Sequence, residues 1–193
     1  MVTKTLLMGE DLLRMPDNGK RYELIRGELI EMTPPGETHG VLASRIDRLL
    51  GEFIEEHDLG TVGVESGFYL ERNPDTVRGP DVWFISKDRL DPDSEIEGYC
   101  EIAPDLAVEI VSPNEWDRLP ACHPQARGLC CTYTEVTEKV EEYLRAGVRL
   151  VWVVDPKSRT VTLYPGANMI RNNDLLTGGE VLPGFSAPVW QLF

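Results

Sequence analysis

The chain has 193 residues, of which 41% are hydrophobic and 27% are charged. This balance is typical of a globular protein and too apolar for a disordered chain, so we expect a single domain over residues 1–193. The formal net charge of −14 argues against a protein that grips nucleic acid over its whole surface, because phosphate binding needs clustered Lys and Arg.

The N-terminal segment contains only a short apolar triplet, Leu6 to Met8, which is followed by acidic residues. It lacks the basic flank and the apolar run of about 7–15 residues that mark a signal peptide. No stretch of the sequence approaches the roughly 18 apolar residues of a transmembrane helix. We therefore expect a cytoplasmic protein with reduced cysteines and no membrane partner.

Residues 21–32 alternate polar and apolar side chains on either side of Arg26 and Gly27, which predicts an N-terminal β-hairpin with a tight turn. From residue 39 to about residue 57, apolar residues recur at spacings of three and four. This spacing predicts an amphipathic helix, with Thr38 as its expected N-cap.

Three apolar, β-rich stretches follow, and we interpret them as three strands of one sheet. They are residues 61–70, 81–86 and 105–112. Residues 133–146 then carry one apolar helical stripe and are followed by Gly147, which predicts a second helix with a left-handed C-cap.

A continuous apolar run over residues 148–154 predicts a buried central strand. A further hairpin is expected to bring residues 160–164 against it, and short turns and strands are expected over residues 174–193. The order of these elements predicts an α/β fold in which a mixed β-sheet is flanked by helices.

Two acidic residues occupy strand positions that normally bury their side chains. Asp81 opens the second of the three predicted strands, and Glu109 lies inside the third between aliphatic residues. A buried carboxylate is costly unless it is paired or binds a metal, and carboxylate oxygens are natural ligands of Mg²⁺. The residues alone leave two alternatives open: a metal site, or an ion pair of Glu109 with Lys139 or Arg149 and turn chemistry at Asp81.

Five sequence blocks resemble a known family. In chain order they are Tyr22-Glu-Leu-Ile-Arg-Gly-Glu-Leu-Ile-Glu-Met, Thr33-Pro-Pro-Gly with His39-Gly40, Gly79-Pro-Asp-Val-Trp-Phe, Pro104-Asp-Leu-Ala-Val-Glu-Ile-Val-Ser-Pro and Glu138-Lys-Val-Glu-Glu-Tyr-Leu-Arg-Ala-Gly-Val. They are similar to the Uma2 family of endonucleases in the PD-(D/E)XK superfamily, and the likeness runs from Asp11 to Phe193. The resemblance implies a restriction-endonuclease-like core of a helix, three strands, a helix and a strand, the order that periodicity also predicts.

The superfamily pattern, carried over to this chain, implies catalytic and metal-binding roles for Asp81 and Glu109. The pattern has a lysine two residues after the second acid, where this chain has Val111. In the family a lysine from the next helix substitutes, and Lys139 is the matching residue here. Lys139 borders the apolar stripe of its helix, so it could reach the carboxylates or could equally be a surface residue.

Further residues are candidates for the same site. Glu65, in the first of the three strands, is a candidate metal ligand, and Glu23 in the hairpin could close the site from outside; each is otherwise a sheet-surface carboxylate. His39, at the start of the first long helix, is a candidate catalytic residue that orients a water or acts as a base, or else makes a local contact near the cap. Basic residues that could ring this edge are Arg21, Arg26, Arg45, Arg72 and Arg78.

Residues 114–132 look like an insertion, because the family passes from Ser-Pro-Asn to the next helix with fewer residues. The segment contains Cys122, His123, Cys130 and Cys131. These side chains could form a zinc site, but adjacent ligands do not follow the Cys-x₂-Cys spacing of clean tetrahedral sites. We predict an exposed loop without metal.

We therefore predict an endonuclease that hydrolyses nucleic-acid phosphodiester bonds with Mg²⁺ or Mn²⁺ as cofactor. DNA is the expected partner and a homodimer the expected state, although the sequence by itself distinguishes neither DNA from RNA nor one chain from two. The alternative is a catalytically silent nuclease fold that serves as a binding or assembly module, since a fold does not guarantee its chemistry.

Overall fold

The computed structural model describes residues 6–90, 98–112 and 131–193. The helices of these residues are α1 (Gly9–Leu13), α2 (Glu37–Glu56) and α3 (Cys131–Arg145), with short 3-10 helices at Lys87–Arg89 and Val189–Gln191. The strands are β1 (Arg21–Ile25), β2 (Glu28–Met32), β3 (Gly60–Val64), β4 (Phe68–Glu71), β5 (Thr76–Arg78), β6 (Val82–Ser86), β7 (Leu106–Ile110), β8 (Leu150–Asp155), β9 (Thr160–Tyr164), β10 (Asn168–Arg171), β11 (Leu175–Gly178) and β12 (Leu182–Pro188).

The central sheet has the strand order β10-β9-β8-β7-β6-β3. β7 and β8 are parallel, with Leu106 opposite Leu150, and the other neighbours in this sheet are antiparallel. A helix crossover is the usual way to join two parallel strands, and α3 lies between β7 and β8 in the chain. The predicted fold class, a mixed sheet flanked by helices, is confirmed.

A smaller sheet has the order β2-β1-β5-β4. Its outer pair is the predicted N-terminal hairpin, in which Tyr22 lies opposite Glu31. Arg26 and Gly27 form the two-residue turn, and both have positive φ (48° and 79°), as a type I′ turn requires.

The stretch at residues 61–70 is two strands, so the prediction of one strand there is wrong. β3 ends at Val64 and pairs with β6 of the central sheet, whereas β4 begins at Phe68 and pairs with β5 of the smaller sheet. The chain turns between them at Glu65, whose φ is 53°. Both halves carry β-favouring residues, so the pattern alone did not reveal that they belong to different sheets.

Helix α2 covers one face of the central sheet. Its apolar stripe is the predicted one, and the buried residues Leu42, Ile46, Leu50 and Ile54 pack in one cluster with strands β6, β7 and β8. The N-cap prediction is wrong: Gly36 is the N-cap, no side chain caps the helix, and Thr38 lies in the first turn. The Gly40 amide already donates to the Gly36 carbonyl at 3.2 Å, which starts the helix before Thr38.

Helix α3 covers the opposite face. The buried residues Val140 and Tyr143 pack with Ala107 of β7 and with Val151 and Val153 of β8. α3 begins at Cys131, earlier than the predicted residue 133. The remainder of the predicted insertion, residues 114–130 with Cys122, His123 and Cys130, lies outside the described residues.

The C-terminal end of α3 has the predicted cap. Gly147 has φ +94°, and the amides of Gly147 and Val148 donate to the carbonyls of Leu144 and Tyr143 at 3.1 and 3.0 Å. A Cβ at Gly147 would meet nothing within 4 Å, so a substitution there strains the backbone without a clash.

We expect Gly147→Ala to lower the free energy of unfolding by about 1–2 kcal/mol, the cost of a left-handed residue with a Cβ. Urea unfolding measures it. The control is Gly40→Ala in α2, where a Cβ also meets nothing within 4 Å but the backbone is helical, so about 0.5–1 kcal/mol of stabilisation is expected. Equal effects of the two substitutions would contradict the assignment of strain to Gly147.

The C-terminal segment completes the core on the α2 side. β11 and β12 form an antiparallel pair, and Leu182, Phe185 and Val189 join the same cluster as Trp152 of β8. No helix among the described residues is long and apolar enough to cross a membrane.

Candidate active site

Asp81 and Glu109 meet at one end of the central sheet. Asp81 directly precedes β6, and Glu109 lies in the neighbouring strand β7. The Asp81 amide donates to the Val108 carbonyl at 3.0 Å, so Asp81 pairs with the residue before Glu109. Asp81 and Glu109 both line one pocket, whose volume is about 250 Å³.

The Asp81 carboxylate is buried and held in one orientation. Its Oδ2 accepts a hydrogen bond from the Ile110 amide at 2.6 Å and lies 3.1 Å from Nε2 of His39, in the first turn of α2. Burial alone would lower the pKa of His39, but the hydrogen bond and charge of Asp81 outweigh burial and raise this pKa. His39 is thus positioned to hold Asp81 and to carry a proton beside it.

The Glu109 carboxylate is bound at both oxygens. Tyr143 donates its hydroxyl hydrogen to Oε1 at 2.7 Å, and the Lys139 ammonium lies 3.1 Å from Oε2. Burial raises the pKa of Glu109 to about 7; the charges of Asp81 and Glu23 act in the same direction, and Lys139 opposes them. A cation placed at this carboxylate would favour its ionised form.

Lys139 reaches the carboxylates from α3. Besides Glu109, its Nζ lies 3.4 Å from Oε1 of Glu23, and its side chain is 15% exposed. Burial alone would lower the pKa of Lys139, but the charges of Glu109 and Glu23 outweigh burial and raise it, so the amine is held as ammonium. Val111 packs in the cluster beneath α3, so an apolar side chain occupies the position where the superfamily pattern has lysine.

Behind Lys139 lies a second ion-pair layer. Glu23 and Arg78 were candidates for the site, but their pairing and the part of Glu142 were not predicted. The buried Arg78 guanidinium lies 2.7 Å from Glu23 and 2.7 Å from Glu142, and the Gly79 amide donates to Glu23 at 3.3 Å. Burial alone would raise the pKa of Glu23, but Lys139 and Arg78 lower it, so Glu23 stays ionised. Two sequence features could have pointed to these residues. Arg78 comes just before Gly79-Pro80-Asp81, and Glu142 lies one helical turn after Lys139, so each is close in the chain to a predicted site residue.

Glu65 lies at the edge of the pocket. It is 43% exposed and pairs with Arg21 at 2.9 Å. Both residues line the pocket, so a role of Glu65 as a metal ligand stays a prediction. Of the five arginines considered, Arg21 and Arg78 belong to the pocket lining, and Arg26 lies in the hairpin turn. Arg72 pairs with Glu10, Asp75 and Glu101, and Arg45 donates to the Leu192 carbonyl.

The donor atoms of Asp81 and Glu109 fit a hard divalent cation. Mg²⁺ usually takes one or two carboxylates and completes its shell with waters and a substrate phosphate, and Mn²⁺ accepts similar oxygen ligands. Among the side chains described within residues 6–90, 98–112 and 135–193, no three His, Cys, Asp or Glu are grouped so as to hold a metal ion. Asp81, Glu109 and Glu65 line the pocket and remain the predicted ligands of such an ion.

Comparisons with known proteins identify the family and the fold. The Uma2 family model, described as "Putative restriction endonuclease", matches residues 10–190. A crystal structure described as "a putative nuclease belonging to DUF820" from Anabaena variabilis superposes with a TM-score of 0.75 and 21% sequence identity, and the match covers 97% of both chains. This likeness shows a shared fold, and no protein of curated function matches the chain.

The family match extends over nearly the whole chain and includes every pocket residue described above. The same match confirms the resemblance found in the five sequence blocks and the restriction-endonuclease-like fold that it implied. This chain belongs to the Uma2 family.

Proposed function

We propose that this protein is a metal-dependent nuclease that hydrolyses phosphodiester bonds, with Mg²⁺ or Mn²⁺ held by Asp81 and Glu109. The observation that carries the proposal is the juxtaposition of these two acids with the Lys139 ammonium, contributed by two neighbouring strands and the crossover helix, in one pocket. Family membership supports the same class of reaction.

The protein's own residues have separable tasks. Asp81, fixed by His39 and the Ile110 amide, and Glu109, fixed by Tyr143, present oxygens in a constant geometry. A divalent cation bound to such oxygens activates water and neutralises charge on the phosphate. Lys139 remains charged and can donate a hydrogen bond to a phosphate oxygen as negative charge develops.

The direct test is nicking of supercoiled plasmid with Mg²⁺ or Mn²⁺. We expect Asp81→Asn and Glu109→Gln each to lower the cleavage rate by about 10²-fold or more, because each removes one anionic ligand from a site of two. The matched control is Glu55→Gln, an exposed acid on α2, which is expected to cleave like the wild type. Cleavage that survives both pocket substitutions would remove these acids from the mechanism.

A binding or assembly module without catalysis is the second candidate. The net charge of −14 favours it, as does the pairing of each described pocket cation, Arg21, Arg78 and Lys139, with a carboxylate. Metal binding without cleavage of any nucleic acid would support this candidate over the nuclease.

DNA as substrate and a homodimer as the active state are part of the proposal and rest on the family resemblance. Parallel cleavage assays with DNA and RNA test the first, and sedimentation of the purified protein tests the second. If a monomer cleaves DNA, the nuclease function stands and the homodimer is excluded as the active state.

A further inference from the structure

Two tyrosines belong to the lining of the pocket that also contains the carboxylates. Tyr22 of β1 and Tyr99 both line it and are half-buried. The Tyr22 hydroxyl accepts a hydrogen bond from Asn18 at 3.0 Å, and the Tyr99 ring packs edge-on against Tyr69 with ring centroids 5.8 Å apart. Both tyrosines also pack against the buried cluster that contains Leu24 and Val77, so each ring is held in place.

Tyr99 occupies its place because residue 67 is glycine. A Cβ at Gly67 would lie 2.2 Å from Cδ1 of Tyr99, closer than any real contact. Gly67 also lines the pocket, so the ring lies directly over bare backbone at the pocket wall. The wall could not hold this aromatic ring if residue 67 carried a side chain.

The pocket has little charge available for an extended phosphate backbone. Among its described lining residues, Arg21 pairs with Glu65, Arg78 with Glu23, and Lys139 with Glu109. Tight duplex binding depends on many cations that neutralise successive phosphates. Cations that are already paired, in a protein with a net charge of −14, do not neutralise successive phosphates in this way. Stacking on aromatic rings, in contrast, requires no net charge.

Size restricts what can enter. Pockets for drug-sized ligands have volumes of about 300–1,000 Å³. At about 250 Å³ the pocket lies just below this range, so it has room for a group of about the size of one nucleotide at most. Asp81 and Glu109 line this pocket, so in the proposed reaction the phosphate must enter it.

We propose that the pocket takes one unpaired nucleotide, whose base stacks on Tyr22 and Tyr99, so that the substrate is single-stranded or locally unpaired nucleic acid and not an intact duplex. This inference rests on the proposed nuclease function and specifies its substrate class. Recognition by stacking tolerates any base, because every base has an aromatic face.

The test measures binding separately from cleavage. Fluorescence anisotropy compares three labelled DNA probes: a single strand, the same strand in a full duplex, and that duplex with one bulged base. Ca²⁺ replaces Mg²⁺, because it binds the same kind of oxygen ligand. We expect the single strand and the bulged duplex to bind about ten-fold or more tighter than the full duplex, the scale of one stacked base.

Substitution of the rings tests their role. Tyr99→Leu is expected to weaken single-strand binding about five- to 150-fold, and Tyr99→Phe, which keeps the ring, is expected to bind like the wild type. Tyr22→Leu and Tyr22→Phe form a second pair if Tyr99→Leu does not fold. The logarithm of the binding constant should fall with the logarithm of salt concentration with a slope of only about −1, as for one or two phosphates.

Equal or tighter binding of the intact duplex would overturn the inference, as would unchanged binding in both leucine variants. These results are distinct from failure of the nuclease proposal. Intact duplex cleaved in an Asp81-dependent way would leave the nuclease standing and remove the substrate assignment. Preferential single-strand binding without cleavage under any metal would remove the nuclease function and leave the preference for unpaired nucleic acid standing.

Discussion

Substitution of Arg78 by methionine is expected to lower the free energy of unfolding by about 3–5 kcal/mol, the usual cost of breaking a buried ion pair by removing one partner. The Arg78 side chain is 6% exposed and lies between Glu23 and Glu142 at 2.7 Å from each. Its loss leaves two carboxylates beneath the pocket without their main counter-charge. Urea unfolding monitored by circular dichroism measures the change.

A surface ion pair provides the matched control. Lys20 and Glu31 lie 2.8 Å apart, but their side chains are 51% and 53% exposed, so Lys20→Met should cost only about 0–1 kcal/mol. Arg78→Lys keeps the charge but loses the planar guanidinium that contacts both carboxylates. Its loss of unfolding free energy should lie between those of Arg78→Met and Lys20→Met. A loss below about 1 kcal/mol for Arg78→Met would show that water reaches these carboxylates and replaces the guanidinium.

Substitution of Lys139 by methionine is expected to lower the rate of metal-dependent cleavage by about 10²–10³-fold, the usual effect of removing one donor that stabilises transition-state charge. The ammonium lies 3.1 Å from Glu109, one of the two acids that would hold the metal ion in the proposed reaction. Plasmid nicking, under conditions where circular dichroism shows the variant to be folded, measures the rate.

A second readout separates the chemical role of Lys139 from a structural one. Without the ammonium, Glu109 and Glu23 lose a shared counter-charge, so the variant should be less stable than the wild type without metal. Mg²⁺ should then raise the melting temperature of Lys139→Met more than that of the wild type, because a bound cation restores positive charge at Glu109. Unchanged cleavage in the variant would exclude Lys139 from the mechanism.

Local patterns of the sequence determined the individual elements and the main acids. The apolar stripe of α2, the hairpin turn at Arg26 and the cap at Gly147 each depend on residues within a few positions, so periodicity and turn chemistry predicted them. Asp81 and Glu109 stood out because an acid among buried strand residues is costly without a partner. The residues alone left Lys139 and Arg149 as alternative partners of Glu109, and only the family resemblance favoured Lys139.

Tertiary structure decided between those candidates and built the rest of the site. α3 packs so that Lys139 and Tyr143 reach Glu109, whereas Arg149 lies beside Asp105 at 3.3 Å. The split of residues 61–70 between two sheets has the same origin. Pairing with β6 or with β5 depends on strands elsewhere in the chain, and both stretches carry β-favouring residues.

The layer formed by Arg78, Glu23 and Glu142 joins residues that are 55 and 64 positions apart in the chain. A sequence pattern encodes which face of each element is apolar, because that depends on a period of 2.0 or 3.6 residues. It does not encode which polar side chains of distant elements meet at one buried point, because that depends on how sheets and helices pack. The pairing of the pocket cations and the position of the two tyrosines were therefore decided by the tertiary structure.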